Sequence, residues 1–474
     1  MKFKSNVELE ALSNATTNTD RFIVSDSNTL KYRTGSQVLS DIGGQASLTN
    51  PVTGTGTLNF VSKFTSTGST LGNSLIYDNG TYVGIGTVNP SEKLDVAGDI
   101  LINGITIGRG SGNVSSNTAN GYAALFSNTT GSNSVAIGVS SLYSNTTGSF
   151  NTAIGVNSLS LNTTGDINTA LGYYALSSNT TGTENVAVGA NALRENITGV
   201  SNTAVGQSSL RSNTIGIANT GVGTLSLNSN ISGSENTAIG LNTLRDNTTG
   251  DNNVAIGVNT LLLNVSGSDN TAVGRQTMFS NTTGSNNVAI GKFSLNNNLT
   301  GSFNVAIGRD ALFSNTASNN VAVGYQALRY NTTGISNTSV GYQALRLNTT
   351  GSQNAANGYQ ALANNTTGVG NVANGYQSLF SNTTESGNTA NGYQSLRSNT
   401  GSYNTANGSE ALRFNTTGSS NTANGYQSLL SNTTGEGNVA NGFWSLRSNT
   451  TGSQNAANGY QSLYANTTGN NNVA

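Results

Sequence analysis

The chain has 474 residues, no cysteine, no histidine, a formal net charge of −1 and only 8% charged residues. Disulfides, thiol nucleophiles and zinc–thiolate sites are excluded, and the commonest general base and transition-metal ligand are missing. No basic run offers the clustered Lys and Arg that nucleic acid needs, and no apolar stretch approaches the ~18 residues of a membrane span.

The first residues, MKFKSNVELEALSNATT, lack the apolar region of a signal peptide, so synthesis and assembly in the cytosol are expected. Residues 1–44 hold most of the early charge. FIVSD, from Phe22, reads as a strand, and SQVLSDIGG, from Ser36, as a short helix ending at glycine. This segment reads as a small docking module. Residues 45–60 are rich in Gly and Thr and read as a linker. Asn79-Gly80 and Asn103-Gly104 each separate alternating apolar runs, the strongest short hairpin signal, so residues 61–116 are expected to form a β-rich neck.

From Asn117 onward one 17-residue unit recurs in 21 complete copies, N-[TV]-A-[IVN]-G-x-x-[AST]-L-x-x-N-T-T-G-x-x. Such repetition dictates stacked coils. Columns are numbered here from the Asn that opens each unit. Column 5 is Gly in every copy, from Gly121 to Gly459. Column 9 is Leu in 20 of 21 copies, including Leu125, Leu244 and Leu463, with Met278 the exception. Column 12 is always Asn, from Asn128 to Asn466, and column 3 is always small.

The run N-[TV]-A-I-G suits a strand, the glycine a corner with φ > 0, the Leu segment a second strand, and N-T-T-G a turn. Two strands and two corners per unit make a parallel β-roll or β-solenoid, so the expected fold class is all-β. Stacking puts Leu on Leu as an apolar spine and Asn on Asn as an amide ladder. At ~4.8 Å per coil the shaft is on the order of 100 Å long.

So thin a coil leaves one apolar face in need of a partner, and parallel homotrimerisation is the economical answer. Column 4 is expected to face the three-fold axis with column 3 inside the coil, the opposite assignment remaining open. Column 4 is apolar from Ile137 to Val340 and then Asn in seven consecutive copies, Asn357, Asn374, Asn391, Asn407, Asn424, Asn441 and Asn458. An Asn seam at an axis could fix chain register. Two one-residue deletions, before Asn320 and before Asn404, are expected to shorten the N-T-T-G corner. The N-T-T triplets are read as turn chemistry and not as glycan acceptors. The Tyr row in column 6 is read as a packing ladder in preference to a sugar platform. The Arg row in column 10 is read as a solvated face. No catalytic residue, metal site or cofactor is expected, and the acids fall too irregularly for a glycosidase pair.

The unit resembles the head repeats of trimeric autotransporter adhesins of the YadA type, which implies a left-handed trimeric β-roll. A wider resemblance covers KYRTGSQVLSDIGG, then VSKFTSTGSTLGNSLIYDNGTYVGIGTVNPSEKLDVAG, then the repeats. These look like tail or appendage fibres of phages of Bacteroidota-type hosts. That resemblance implies a virion protein docked through its N-terminus on a tail, collar or capsid protein. A distal tip would meet a host glycan or protein, and a self-cleaving trimerisation chaperone would follow. The shaft is expected to continue beyond residue 474. A bacterial surface adhesin is the alternative expectation, and an ice-binding solenoid the weaker one, because adjacent Thr residues at a corner do not form a flat T-x-T row.

Overall fold

The computed structural model describes residues 21–26, 29–34, 60–64 and 71–474. The expected helix after Ser36, the linker up to residue 59 and most of the docking module lie outside them. Contacts divide the chain into a unit ending at Gly98 and a unit beginning at Asp99.

In the first unit β1 (Arg21–Asp26) pairs antiparallel with β2 (Thr29–Thr34), so the strand expected at FIVSD is present. A second sheet has the order β3 (Phe60–Phe64), β4 (Leu71–Asp78), β5 (Val83–Ile85) and β6 (Leu94–Val96). Phe60, assigned to the linker by composition, is therefore the first residue of a strand. β4 and β5 are antiparallel, so the hairpin expected at Asn79-Gly80 is present, with four residues connecting the strands, since Asp78 pairs with Val83. Asn79 itself builds the longer turn: its Oδ1 accepts from the N–H groups of Thr81 (2.9 Å) and Tyr82 (2.7 Å).

The second unit opens with β7 (Ile100–Ile102) and β8 (Ile105–Gly108), joined by Asn103 (φ +50°) and Gly104 (φ +84°). Both are left-handed, as a type I′ hairpin requires. β8 pairs antiparallel with β9 (Thr118–Gly121), the strand of the first coil. The expected neck of 61–116 is thus divided, and its second hairpin covers the edge of the stack. Residues 109–113 extend that cover. Ser111 N–H donates to Leu125 O (3.1 Å), and Asn128 Nδ2 donates to Ser111 O (3.3 Å). An otherwise bare strand edge and the first Leu and Asn are thereby closed off.

Above β9 follow twenty strands of three residues, from β10 (Val135–Ile137) to β29 (Ala456–Asn458). Each pairs parallel and in register with the next, column 2 on 2, 3 on 3 and 4 on 4. The ladder is open, with β29 paired to the strand before it and bridged onward from Ala456 to Val473. Unit and coil coincide, as expected from the period.

The second strand per coil is not there. Columns 6 to 11 form consecutive turns, with left-handed residues at columns 7 and 9, such as Ser140 (φ +55°) and Leu142 (φ +49°). The turns are laddered all the same. Ser140 N–H donates down to Tyr122 O (2.9 Å), while Leu142 N–H donates up to Ser158 O (3.0 Å). Every stretch of the coil therefore holds both its neighbours.

This backbone explains why column 9 is Leu or Met and never Ile or Val. A positive φ is tolerable for an unbranched Cβ and strongly unfavourable for a branched one. Leu125 through Leu446 are buried and stack as one spine with Ala of column 3, and Leu463 packs against its end. Leu244→Ile is expected to destabilise by more than the ~1 kcal/mol of an isomeric core swap, and Leu244→Met by less, as Met278 already shows the fit. Urea unfolding of the two variants checks this.

The corner glycines have a steric cause. At Gly138 (φ +129°) an added Cβ would lie 2.5 Å from Gly155 O of the next coil. Column 15 is Gly for a related reason, since at Gly148 a Cβ would meet Gly165 O at 2.5 Å and Asn145 Oδ1 at 2.6 Å.

The Asn of column 12 forms the expected ladder: Asn145 Nδ2 donates to Asn128 Oδ1 (2.9 Å) and to Gly148 O (2.9 Å). Column 1 forms a second ladder that the pattern did not suggest. Asn202 donates from its backbone N–H (3.0 Å) and its Nδ2 (3.2 Å) to Asn185 Oδ1, and from Nδ2 to Gly216 O (2.8 Å). The two amide columns satisfy the buried polar groups that a narrow coil cannot avoid. Both deletions fall in the N-T-T-G corner as expected. Asn315 and Asn399 there bond the carbonyl two residues on, and their link to the Asn below stretches to 3.5 Å.

Candidate interaction surface

Since the coil interior is filled by columns 1, 3, 8, 9 and 12, any recognition belongs to the outward columns. Among the described residues no group of three or more acidic, His or Cys side chains could hold a metal ion. Of the residues singled out from the sequence, Leu125, Leu244, Asn128 and Gly121 lie inside the stack. Leu463, Asn466 and Gly459 occupy its last coil, where packing is thinner.

Column 3 points into the coil and column 4 points out, as alternation along the strand requires. The apolar stretch of column 4 makes a straight seam. Ile137, Leu171, Val205, Ile239, Ile256, Ile290, Ile307 and Val340 are each 37–45% exposed on the single chain. The Asn stretch continues the same line. Asn374 donates to Asn391 Oδ1 (2.8 Å), which donates to Asn407 Oδ1 (2.7 Å), and so on through Asn424 and Asn441 to Asn458. These amides pair along one chain and sit at its surface. Each keeps a second N–H and oxygen lone pair for an outside partner.

Beyond the glycine corner, column 6 is a row of stacked rings. Tyr325, Tyr342, Tyr359, Tyr376 and Tyr393 follow one another at 5.1–5.4 Å with planes within 17° of parallel. Each ring covers the face of its neighbour, so the row packs coil on coil and offers its edges outward. Gln of column 7 runs beside it, Gln343 Nε2 donating to Gln326 Oε1 at 3.1 Å. The Arg row of column 10 is more than a solvated face, because its guanidiniums lie over rings. Arg447 is 5.4 Å from the Trp444 ring, and Arg329 is 4.9 Å from that of Tyr330.

Among the described residues, two ionisable groups depart from their ordinary values, and neither suggests catalysis. Hydrogen bonds to the Asp246 carboxylate hold the Arg245 pKa above its usual value. Glu385 replaces the column 15 glycine. Burial pushes its pKa up, but N–H groups of Thr383 and Thr384 and the Thr384 hydroxyl outweigh that and hold it below the ordinary carboxylate value. Such a lowered pKa stabilises the corner above the ordinary value, and the contribution is lost as pH falls through the folded value.

A recess interrupts the regular surface of the stack. A cleft of about 410 Å³ lies between columns 7 and 10, lined by Phe279, Phe293, Asn296, Arg309, Asp310 and Phe313 among others. A column-by-column reading misses it because its walls come from four successive coils. The signal available in the sequence is Asn296 between Phe279 and Phe313 in column 10. No known family model matches this chain, and no curated protein matches it.

Proposed function

We propose that the chain is the shaft of a homotrimeric virion fibre, most naturally a phage tail fibre. Its N-terminal segment docks on the particle and its rod carries a receptor-binding tip toward the host surface. The mechanism is mechanical: a stack with two buried amide ladders and a continuous Leu spine transmits position, and no bond is made or broken. The observation that supports assembly is the column 4 seam, thirteen consecutive apolar residues from Ile137 to Val340 on one line of the surface. Contiguous exposed apolar surface of that kind marks an association site. Three chains meeting along this line bury it, and the Asn column above supplies paired amides that favour one register.

The test has two arms. Native mass spectrometry of the purified chain is expected to give a trimer, and Ile239→Asp with Ile256→Asp to give a monomer with an unchanged far-UV spectrum. A wild-type monomer at micromolar concentration contradicts the trimer. Electron microscopy of particles labelled with antibody against this chain tests location. Label on bacterial surfaces and none on virions favours the trimeric adhesin instead.

A further inference from the structure

The outward columns are regular enough that a missing side chain leaves a defined space. Column 10 is Phe at Phe279 and Phe313, with Asn296 in the coil between them. Coils stack at ~4.8 Å, so the two phenylalanines stand about 10 Å apart, and the absent ring leaves a slot one ring thick. The floor is fixed, since Asn296 Nδ2 donates to Gln276 O at 2.7 Å. Phe293 of column 7 closes one side, edge-on to Phe313 at 6.2 Å between centroids. The slot opens into the cleft described above.

Arg309 and Arg329 line the cleft, and the charge beside it on column 6 is out of keeping with the rest of the chain. Arg275, Lys292 and Arg309 occupy column 6 in three consecutive coils, in a protein with only 8% charged residues. Like charges stacked at strand spacing repel, and an anion relieves that repulsion. Lys292 Nζ lies 4.8 Å from the centroid of the Phe293 ring, and the Arg329 guanidinium lies 5.7 Å from that of Phe313, so positive charge rims the aromatic walls. Asp310 also lines the cleft. Its side chain is only 7% exposed, yet the Arg309 Nε beside it is 3.7 Å away, beyond hydrogen-bonding distance. A buried carboxylate so loosely matched has acceptor capacity to spare.

We propose that this cleft binds a carboxylated saccharide. A pyranose ring fills the slot with its C–H faces against Phe279 and Phe313. Its carboxylate meets Arg309 and Lys292, and its hydroxyls donate to Asp310 and bond the amide of Asn297. Nucleic acid fits less well, because Asp310 in the wall repels a dense polyanion while it accepts readily from sugar hydroxyls. The site lies on the flank of the shaft, apart from any distal tip, and stands whether or not the chain belongs to a virion.

Isothermal titration calorimetry on the full chain tests it, with tetragalacturonate and sialyllactose as acidic probes. Maltotetraose is the neutral control and a short oligothymidylate the polyanion control. Saturable binding of at least one acidic sugar is expected, weaker by more than about tenfold for maltotetraose, given the strength of hydrogen bonds to charged groups. Asn296→Phe completes the ring column and is expected to abolish binding without changing the far-UV spectrum or melting temperature. Phe already occupies column 10 at Phe126 and Phe380. Arg309→Gln is expected to weaken acidic probes selectively, and it serves as the second variant should the first misfold. Absence of saturable binding by either acidic sugar overturns the proposal, as does undiminished binding by a folded Asn296→Phe. Equal affinity for oligothymidylate also overturns it, since the patch would then be a general polyanion surface.

Discussion

Gly240→Ala is expected to split the stack. Gly240 has φ +133°, and a Cβ there would lie 2.5 Å from Gly257 O and 2.9 Å from Thr243 Oγ1. The offending atom is backbone and cannot rotate away. Gly257 is tied to its place by its own N–H bond to Ile239 O (2.8 Å). Adding a strained φ to this clash gives an expected cost of roughly 2–5 kcal/mol. Because a solenoid is held by nearest-neighbour interfaces, the cost is local and the two halves remain folded. Urea unfolding should then show two transitions where the parent shows fewer, with protease cleavage appearing near residues 240–257. Gly370→Ala is the control, having φ +67° but no atom within 4 Å of the added Cβ. It should show the conformational part alone. Equal losses in the two variants would mean that contact between coils is not what selects glycine.

The second large effect is expected at Asn247. This buried side chain donates from Nδ2 to Asn230 Oδ1 (2.8 Å) and to Gly250 O (3.0 Å), and its Oδ1 accepts from Asn264 Nδ2 (2.7 Å). Asn247→Ala removes all three bonds and strands the Asn230 oxygen and one Asn264 N–H, while Gly250 O keeps its bond from Asn236 Nδ2 (2.8 Å). Each unsatisfied buried group costs about 1–3 kcal/mol, so a loss of roughly 3–5 kcal/mol is expected after incomplete additivity. Asn247→Asp should be worse at neutral than at acidic pH, because a buried carboxylate cannot donate while the protonated acid can. Desolvation raises the pKa of such an Asp, so its penalty grows as pH rises through that value. Denaturant midpoints for both variants at the two pH values provide the check, and a loss below ~1 kcal/mol for Asn247→Ala would remove the amide ladder from the account.

The period, the column 5 glycine, the Leu spine and the column 12 amides were legible because each recurs at one residue type with one physical reason. The second strand was misread for an equally definite cause. Columns 6 to 11 were read as a strand because they carry the Leu, but columns 7 and 9 are left-handed, and Leu is not a residue whose presence announces that conformation. The column 1 ladder was missed because an Asn opening a strand reads as a boundary, and only its bonds to the neighbouring coils reveal a buried role. Asn103-Gly104 and Asn79-Gly80 were both read correctly as hairpins. The first has a two-residue turn and the second a four-residue one, because Asn79 Oδ1 caps two N–H groups and lengthens it. The cleft does not follow from the period, since it arises where a single coil carries Asn296 between the column 10 rings of its neighbours.

Each 17-residue unit adds one layer to the stack and nothing else. Deleting residues 202–303 removes six whole units. Electron microscopy of the purified chain is then expected to show a shaft shorter by about 29 Å, with unchanged width. An unchanged length, or a shaft that shortens by a different amount per unit or loses its regular width, would contradict the stacked-coil account.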